Sequence, residues 1–299
     1  MRLAMLVFSL LLLAPSLLWA QDMPLRDLLI EGEDWVLVAE GYKFTEGPAV
    51  DPAGNLYFTD VPNSKILKVE MNNDGAEGEV STFVEESGRT NGLMFGPDGR
   101  LYGCRNGERQ IAAWSADGAM TVLAEDVDSN DLVVNSAGGV YFTDPKGQQV
   151  WYLDPQGKKQ VVDKGLTFPN GLILWPDEQT LVVDDTRGEH LWNYRIGDDG
   201  KLSVKQPYST MQLPPGRTDS GADGMTVDSR GRVYVATHAG VQVFDTQGRL
   251  SGVIAKPQSA FLSNVVFAGP QLDQLVATCT DKVFRRKVNA QGIRYGAAK

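Results

Sequence analysis

The sequence predicts an all-β protein, a single six-bladed β-propeller with four-stranded blades over residues 34–292, and three observations carry that prediction. A unit made of a polar residue, a small or apolar pair, a short β run, a glycine turn and a second β run recurs six times. The polar residues that open the copies are Glu46, Asn91, Asn130, Asn170, Asp223 and Asn264, spaced 45, 39, 40, 53 and 41 residues apart. That is the period of a propeller blade; helical repeats would carry a 3.6-residue periodicity that is absent here. Third, the last copy has room for only three strands, while an unassigned run, residues 34–39, precedes the first. Ring closure resolves both, with the N-terminal strand completing the last blade and covering its edge.

Taken in order, the chain opens with Met1-Arg2, an almost unbroken apolar run from Leu3 to Leu18, and Trp19-Ala20-Gln21. These are the n-, h- and c-regions of a secretory signal peptide, expected to be cut after Ala20. The run is short for a membrane span and is interrupted by Pro15 and Ser16. The expectation is therefore a signal peptide at 1–20, an N-terminal extension at 21–33, and a periplasmic or secreted mature protein with no membrane partner. Blade one is expected at 47–51, 56–60, 65–70 and 80–86, and blade three at 132–135, 139–144, 149–153 and 159–164. The three strands of blade six are expected at 265–268, 274–278 and 282–288, with 34–39 as the fourth. A two-domain β-sandwich is the alternative.

Composition agrees with a large β core: 42% hydrophobic residues, 9% aromatic and 32 glycines among 299 residues. With 28 Lys and Arg against 38 Asp and Glu, the formal net charge is −10, and without a basic run nucleic acid is not an expected partner. Cys104 and Cys279 fall at corresponding second-strand places in blades that are not neighbours, so they are expected as two buried free thiols. Two Cys and two His scattered through the chain lack the spacing of a zinc site.

The first strand of each propeller blade lines the central channel, so the six opening residues form a ring about one axis. All six offer side-chain oxygen. Turn chemistry accounts for Asn-Gly and Asp-Gly pairs one at a time, but not for a shared register that includes Glu46. Oxygen donors with two carboxylates point to one hard divalent cation, Ca2+ first, then Mg2+ or Mn2+, with Zn2+ a further option. Full encirclement by protein would suit a structural plug, whereas a catalytic ion needs open positions.

FTEGPAVD, SNDLVVNSAGGVYFTDP, FPNGLILWPDE, GADGMTVDSRGRVYVA and GVQVFDTQG, in this order and spacing, resemble the senescence-marker-protein (regucalcin) and gluconolactonase-like lactonases over nearly the whole mature chain. The resemblance implies a divalent metal held by Glu46, Asn170 and Asp223, with Asn130 touching metal or substrate. It also implies hydrolysis of a cyclic ester, a sugar lactone, with Asp223 as general base. Departures are Ser129 and Ala222, where relatives often carry proline, and Ala49-Val50, where an aromatic is frequent. These leave the shape of the channel mouth, and hence substrate choice, open.

Arg105 and Arg109, in the loop after the second strand of blade two, and His238, after the second strand of blade five, are further substrate-binding candidates. Asp144 and Asp185 end equivalent strands, as supporting carboxylates or as turn residues. There is no G-x-S-x-G for a serine nucleophile. Two other readings remain: a non-catalytic exported propeller that binds a protein or glycan around a structural ion, and an arylesterase or strictosidine-synthase-like enzyme.

Overall fold

The structure, a computed structural model, describes residues 25–73 and 79–295; the expected signal peptide lies outside them. The described residues form six four-stranded antiparallel sheets. Their innermost strands are Thr45–Val50, Thr90–Phe95, Leu132–Val134, Pro169–Leu174, Met225–Val227 and Asn264–Ala268. Each inner strand lies against the next, and the sixth returns to the first. The expected propeller is therefore formed, with inner strands that begin one or two residues earlier in blades one and six than their apolar runs suggest.

Closure takes the expected form. Val36–Glu40 pairs antiparallel with Lys282–Lys287, with Leu37 opposite Phe284 and Glu40 opposite Lys282. Ahead of it, a single helical turn, Leu25–Leu28, buries Leu28 against blade six, and Asn289 N donates to Leu28 O at 2.8 Å. No helix among the described residues is long and apolar enough to cross a membrane.

The strands are apolar on both faces because each sheet is packed between two others. In blade one, Leu56 and Phe58 face blade six, while Tyr57 faces blade two. Six apolar clusters fill the six inter-blade spaces. Cys104 and Cys279 are both buried and free, in the clusters between blades two and three and between blades five and six. They are one residue out of register: Cys104 pairs with Ile111 one short of its strand end, and Cys279 is the last residue of its own.

Turns at one end of the ring share a device. Asp51, Asn135, Asp154, Asp228 and Asp245 each accept backbone N–H bonds from residues two and four positions on, an Asx turn written into the repeat. The loops at the opposite end carry the site.

Candidate functional site

Pairing with the second strand slips between Glu46 and Ala49, between Thr90 and Leu93, and between Pro169 and Leu172. These slips are bulges, which re-aim a side chain out of the ladder; they contain Asn91 and Asn170, and the first begins at Glu46. Asn130 and Asp223 stand just ahead of their strands, with their amides donating to Thr143 O (2.9 Å) and Ala236 O (3.0 Å). The glycines that follow ring residues permit close approach between blades. A methyl group on Gly224 would lie 1.7 Å from Asn264 Cγ, and one on Gly47 would lie 2.1 Å from Asn91 O.

Five of the six opening residues are joined in two hydrogen-bonded arcs, and Asp223 lies next to Asn170. On one, Asn91 Nδ2 donates to Asn130 Oδ1 at 2.7 Å, Asn130 Nδ2 to Asn170 Oδ1, and Asn170 Nδ2 to Thr186 Oγ1 at 3.1 Å. On the other, Asn264 Nδ2 donates to Glu46 Oε2 at 3.0 Å. Second-strand hydroxyls brace the neighbouring blade: Thr59 Oγ1 donates to Asn91 O at 3.2 Å, and Thr143 Oγ1 to Asn170 O at 2.7 Å.

Two carboxylates absent from the expected ring join it. Asp131 takes the place that glycine holds after Asn91, Asn170 and Asp223. Asp184, fully buried, takes a second-strand slot that holds Thr59, Thr143 and Ala236 in other blades. Each breaks the pattern of its repeat position, and that break is the signal by which the sequence marks them. Glu46 has its pKa pushed up to about 6 by burial, against hydrogen bonds from Gly47 and Asn264 that lower it. Burial also raises Asp223, and the charges of Glu46, Asp184 and Asp131 raise it further. Asp131 and Asp184 are driven up first by burial, then by neighbouring carboxylates.

Two chambers meet at the ring. On the turn side lies a cavity of about 370 Å³ lined mainly by apolar residues such as Leu132, Met225 and Phe267, with Asp131 and Asn264 at ring level. The C-terminal segment crosses it, pairing Gly292 with Asp228 and bonding Tyr295 OH to Leu174 O. On the loop side is a mouth of about 630 Å³ whose lining includes Asn106, Asp128, Asn130, Lys146, Phe168 and Arg187.

None of the other candidates is among the residues that line this mouth. Arg109 Nη1 meets Asp128 at 3.2 Å, and Lys146 reaches the same carboxylate at 3.3 Å. Arg105 is turned to its own blade, bonding Ser87 O at 3.1 Å and Gln110 Oε1 at 2.6 Å. His238 pairs with Asp219 at 3.2 Å and packs edge-on to Phe261; burial, with Arg217 nearby, lowers its pKa. Asp144 and Asp185 accept loop amides, from Gly147 in one case and from Thr167 and Phe168 in the other. They are the turn residues that the second of their two readings describes.

The donor set fits a hard cation. Both carboxylate oxygens of Asp184 and Oδ1 of Asn91 are buried without a hydrogen-bond partner among the described residues, and the ring carboxylates raise one another's proton affinity, a strain that a bound cation relieves. No three His, Cys, Asp or Glu side chains among the described residues converge into a metal cluster, so carboxamide oxygens from the Asn members would have to complete any ligand set. Glu46, Asn170 and Asp223, with Asn130 beside them, supply that mixture.

Comparison with known proteins follows this geometry. The chain is similar to a gluconolactonase of Zymomonas mobilis, 26% identical with 86% of this chain and 82% of that protein covered. It is 27% identical to the pentonolactonase XacC of Haloferax volcanii, over 78% and 80%. Among solved structures, a gluconolactonase of Xanthomonas campestris superposes with a TM-score of 0.77 at 26% identity, covering 90% of this chain and 96% of that one. Residues 44–281, which hold five blades and two of the four strands of the sixth, match the family described as SMP-30/Gluconolactonase/LRE-like region, and the chain belongs to that family.

Proposed function

We propose that the protein is an exported lactonase, dependent on a divalent cation, that hydrolyses a sugar-type cyclic ester. The observation that carries the reading is the central ring, where Glu46, Asn170, Asp223 and Asn130 from four blades meet in a chain of a family whose relatives are named lactonases. The hydrogen-bonded Asn arc, the bulges and the crowding of Glu46 against Asp223, both with raised proton affinity, support a cation held by Glu46, Asn170 and Asp223, with Ca2+ as first choice and Mg2+, Mn2+ and Zn2+ after it. Bound there, the ion would polarise the lactone carbonyl.

The chain's own residues do the rest. Asp223, in the ring beside Glu46 and Asn170, accepts the proton of the attacking water as the new C–O bond forms, as a general base. The ring C–O bond then breaks, and the leaving alkoxide recovers that proton to give the open hydroxy acid. Asn130 presents a carboxamide to the loop-side mouth, where it holds the substrate against the ring. The apolar run at residues 3–18 supports export.

A lactone panel assayed on metal-stripped protein, with Ca2+, Mg2+, Mn2+ and Zn2+ restored in turn, tests this reading. Restored hydrolysis of at least one sugar lactone is expected. No hydrolysis with any ion would favour a propeller that only binds its ligand, and undiminished hydrolysis after stripping would remove the cation.

A further inference from the structure

Two cations, Lys146 and Arg187, line the loop-side mouth of an acidic protein, and Arg187, though exposed, rests on an aromatic ring. The Arg187 guanidinium lies 4.9 Å from the centroid of the Phe168 ring, a stacking that orients its donors. Both residues are pinned by one buried carboxylate: Asp185 accepts from Phe168 N at 2.9 Å and from Arg187 N at 3.2 Å. Thr186 N also bonds Phe168 O at 3.0 Å. The same two segments set the ring, since Phe168 precedes Asn170 by two residues and Thr186, beside Arg187, takes the Asn170 carboxamide. No carboxylate pairs with the Arg187 guanidinium among the ion pairs of the described residues, whereas Asp128, across the mouth, is shared by Arg109 and Lys146. The charged residues that line the mouth are thus Lys146, Arg187 and Asp128, and Asp128 is already matched by Lys146 and Arg109.

We infer that Arg187 is a specificity residue for a substrate anion, so that the preferred substrate is a lactone bearing a second group, carboxylate or phosphate, remote from the ester. This rests on the lactonase reading and deepens it. The ester sits at the ring by Asn130 while the anionic arm extends to Arg187, where a guanidinium fork stacked on Phe168 suits either anion. A neutral lactone leaves this cation without a counterpart.

The test compares neutral glucono-1,5-lactone with glucaro-1,4-lactone, which carries a carboxylate, and 6-phosphogluconolactone, which carries a phosphate. Wild type, Arg187→Gln and Arg187→Lys are assayed with the activating cation present. At least one anionic lactone is expected to exceed the neutral one in kcat/KM by about tenfold. Arg187→Gln should collapse that ratio mainly through KM, and Arg187→Lys should retain part of it. Which of the two anionic substrates leads identifies the anion. The preference should also fall with added salt. A neutral lactone turned over as well as both anionic ones, or an Arg187→Gln variant that affects all three equally, overturns the inference and leaves the lactonase standing. Hydrolysis of none of the three removes the lactonase reading and the inference with it. Thermal melting of each variant separates loss of fold from loss of preference.

Discussion

At the scale of single residues, the ring sets charge against burial. Asp223→Asn keeps the shape and a donor oxygen but removes one carboxylate and the proposed base. It is expected to lower kcat at saturating cation by about 100-fold or more while leaving thermal stability near or above that of wild type, because it relieves repulsion from Glu46, Asp184 and Asp131. Retention of full turnover by this variant would refute the assignment. Glu46→Gln is expected to weaken cation affinity, so that excess cation recovers part of its activity. Glu46 also gives a pH signature. Its folded pKa of about 6 lies above the ordinary 4.5, so the folded state holds the proton more tightly than the unfolded chain. The stability this confers is full below about pH 4.5 and is lost as pH rises through 6, on the order of 2 kcal/mol for this group. Cation-free protein should therefore lose stability between pH 5 and 7 in a component missing from Glu46→Gln, and a divalent cation should raise the melting temperature more at pH 7 than at pH 5. A pH-independent cation effect would contradict this.

Secondary-structure elements explain which parts of the site the sequence discloses. Repeat spacing tells which residues share a level around the axis, so all six ring members, and the closure by residues 34–39, are legible without coordinates. It does not tell how an end-of-strand side chain turns. Arg105 and Asp185 close equivalent second strands, yet Arg105 folds back onto Ser87 O and Asp185 fastens two loops, because the backbone amides available in each loop decide the matter. Asp131 and Asp184 escape notice because their neighbours in the repeat are glycine, threonine or alanine, and only a slot-by-slot comparison shows the added charge. Glycines that follow ring residues also act as spacers: a Cβ at Gly47 or Gly171 would lie 2.1 Å from a backbone carbonyl of the next blade. Gly224→Ala tests this: with its Cβ 1.7 Å from Asn264 Cγ, the Asn264 carboxamide must move, and its bond to Glu46 Oε2 with it. A loss of about 1–3 kcal/mol is expected from overpacking, measured by denaturant unfolding, with cation affinity falling in the same variant. A neutral Gly224→Ala would mean that Gly224 serves the turn alone.

For the whole molecule, the ring depends on one non-local seam. Every other blade is made of consecutive strands, while blade six joins Val36–Glu40 to Lys282–Lys287. The seam is reinforced by the Lys282 to Glu40 ion pair at 2.7 Å, by Arg286 Nη2 donating to Glu33 O at 2.7 Å, and by Leu28 in the cluster between blades five and six. The exposed ion pair contributes little. The paired strand edge and the buried leucine contribute most, because without them Lys282–Lys287 becomes an open edge and part of that apolar cluster meets water. Deleting residues 25–40 from the mature chain is therefore expected to lower the melting temperature by more than about 10 °C and to promote concentration-dependent association through the freed edge. The effect should reach the site, because Thr45 Oγ1 bonds the carbonyls of Thr280 and Lys282 across the same seam, one residue before Glu46. Cation affinity should thus fall in the truncated protein even below its melting point. Leu28→Ala, which leaves the strand in place, should cost about 2–5 kcal/mol without association. A truncated protein that stays monomeric and melts with wild type would show that five blades and the remaining three strands hold the ring unaided.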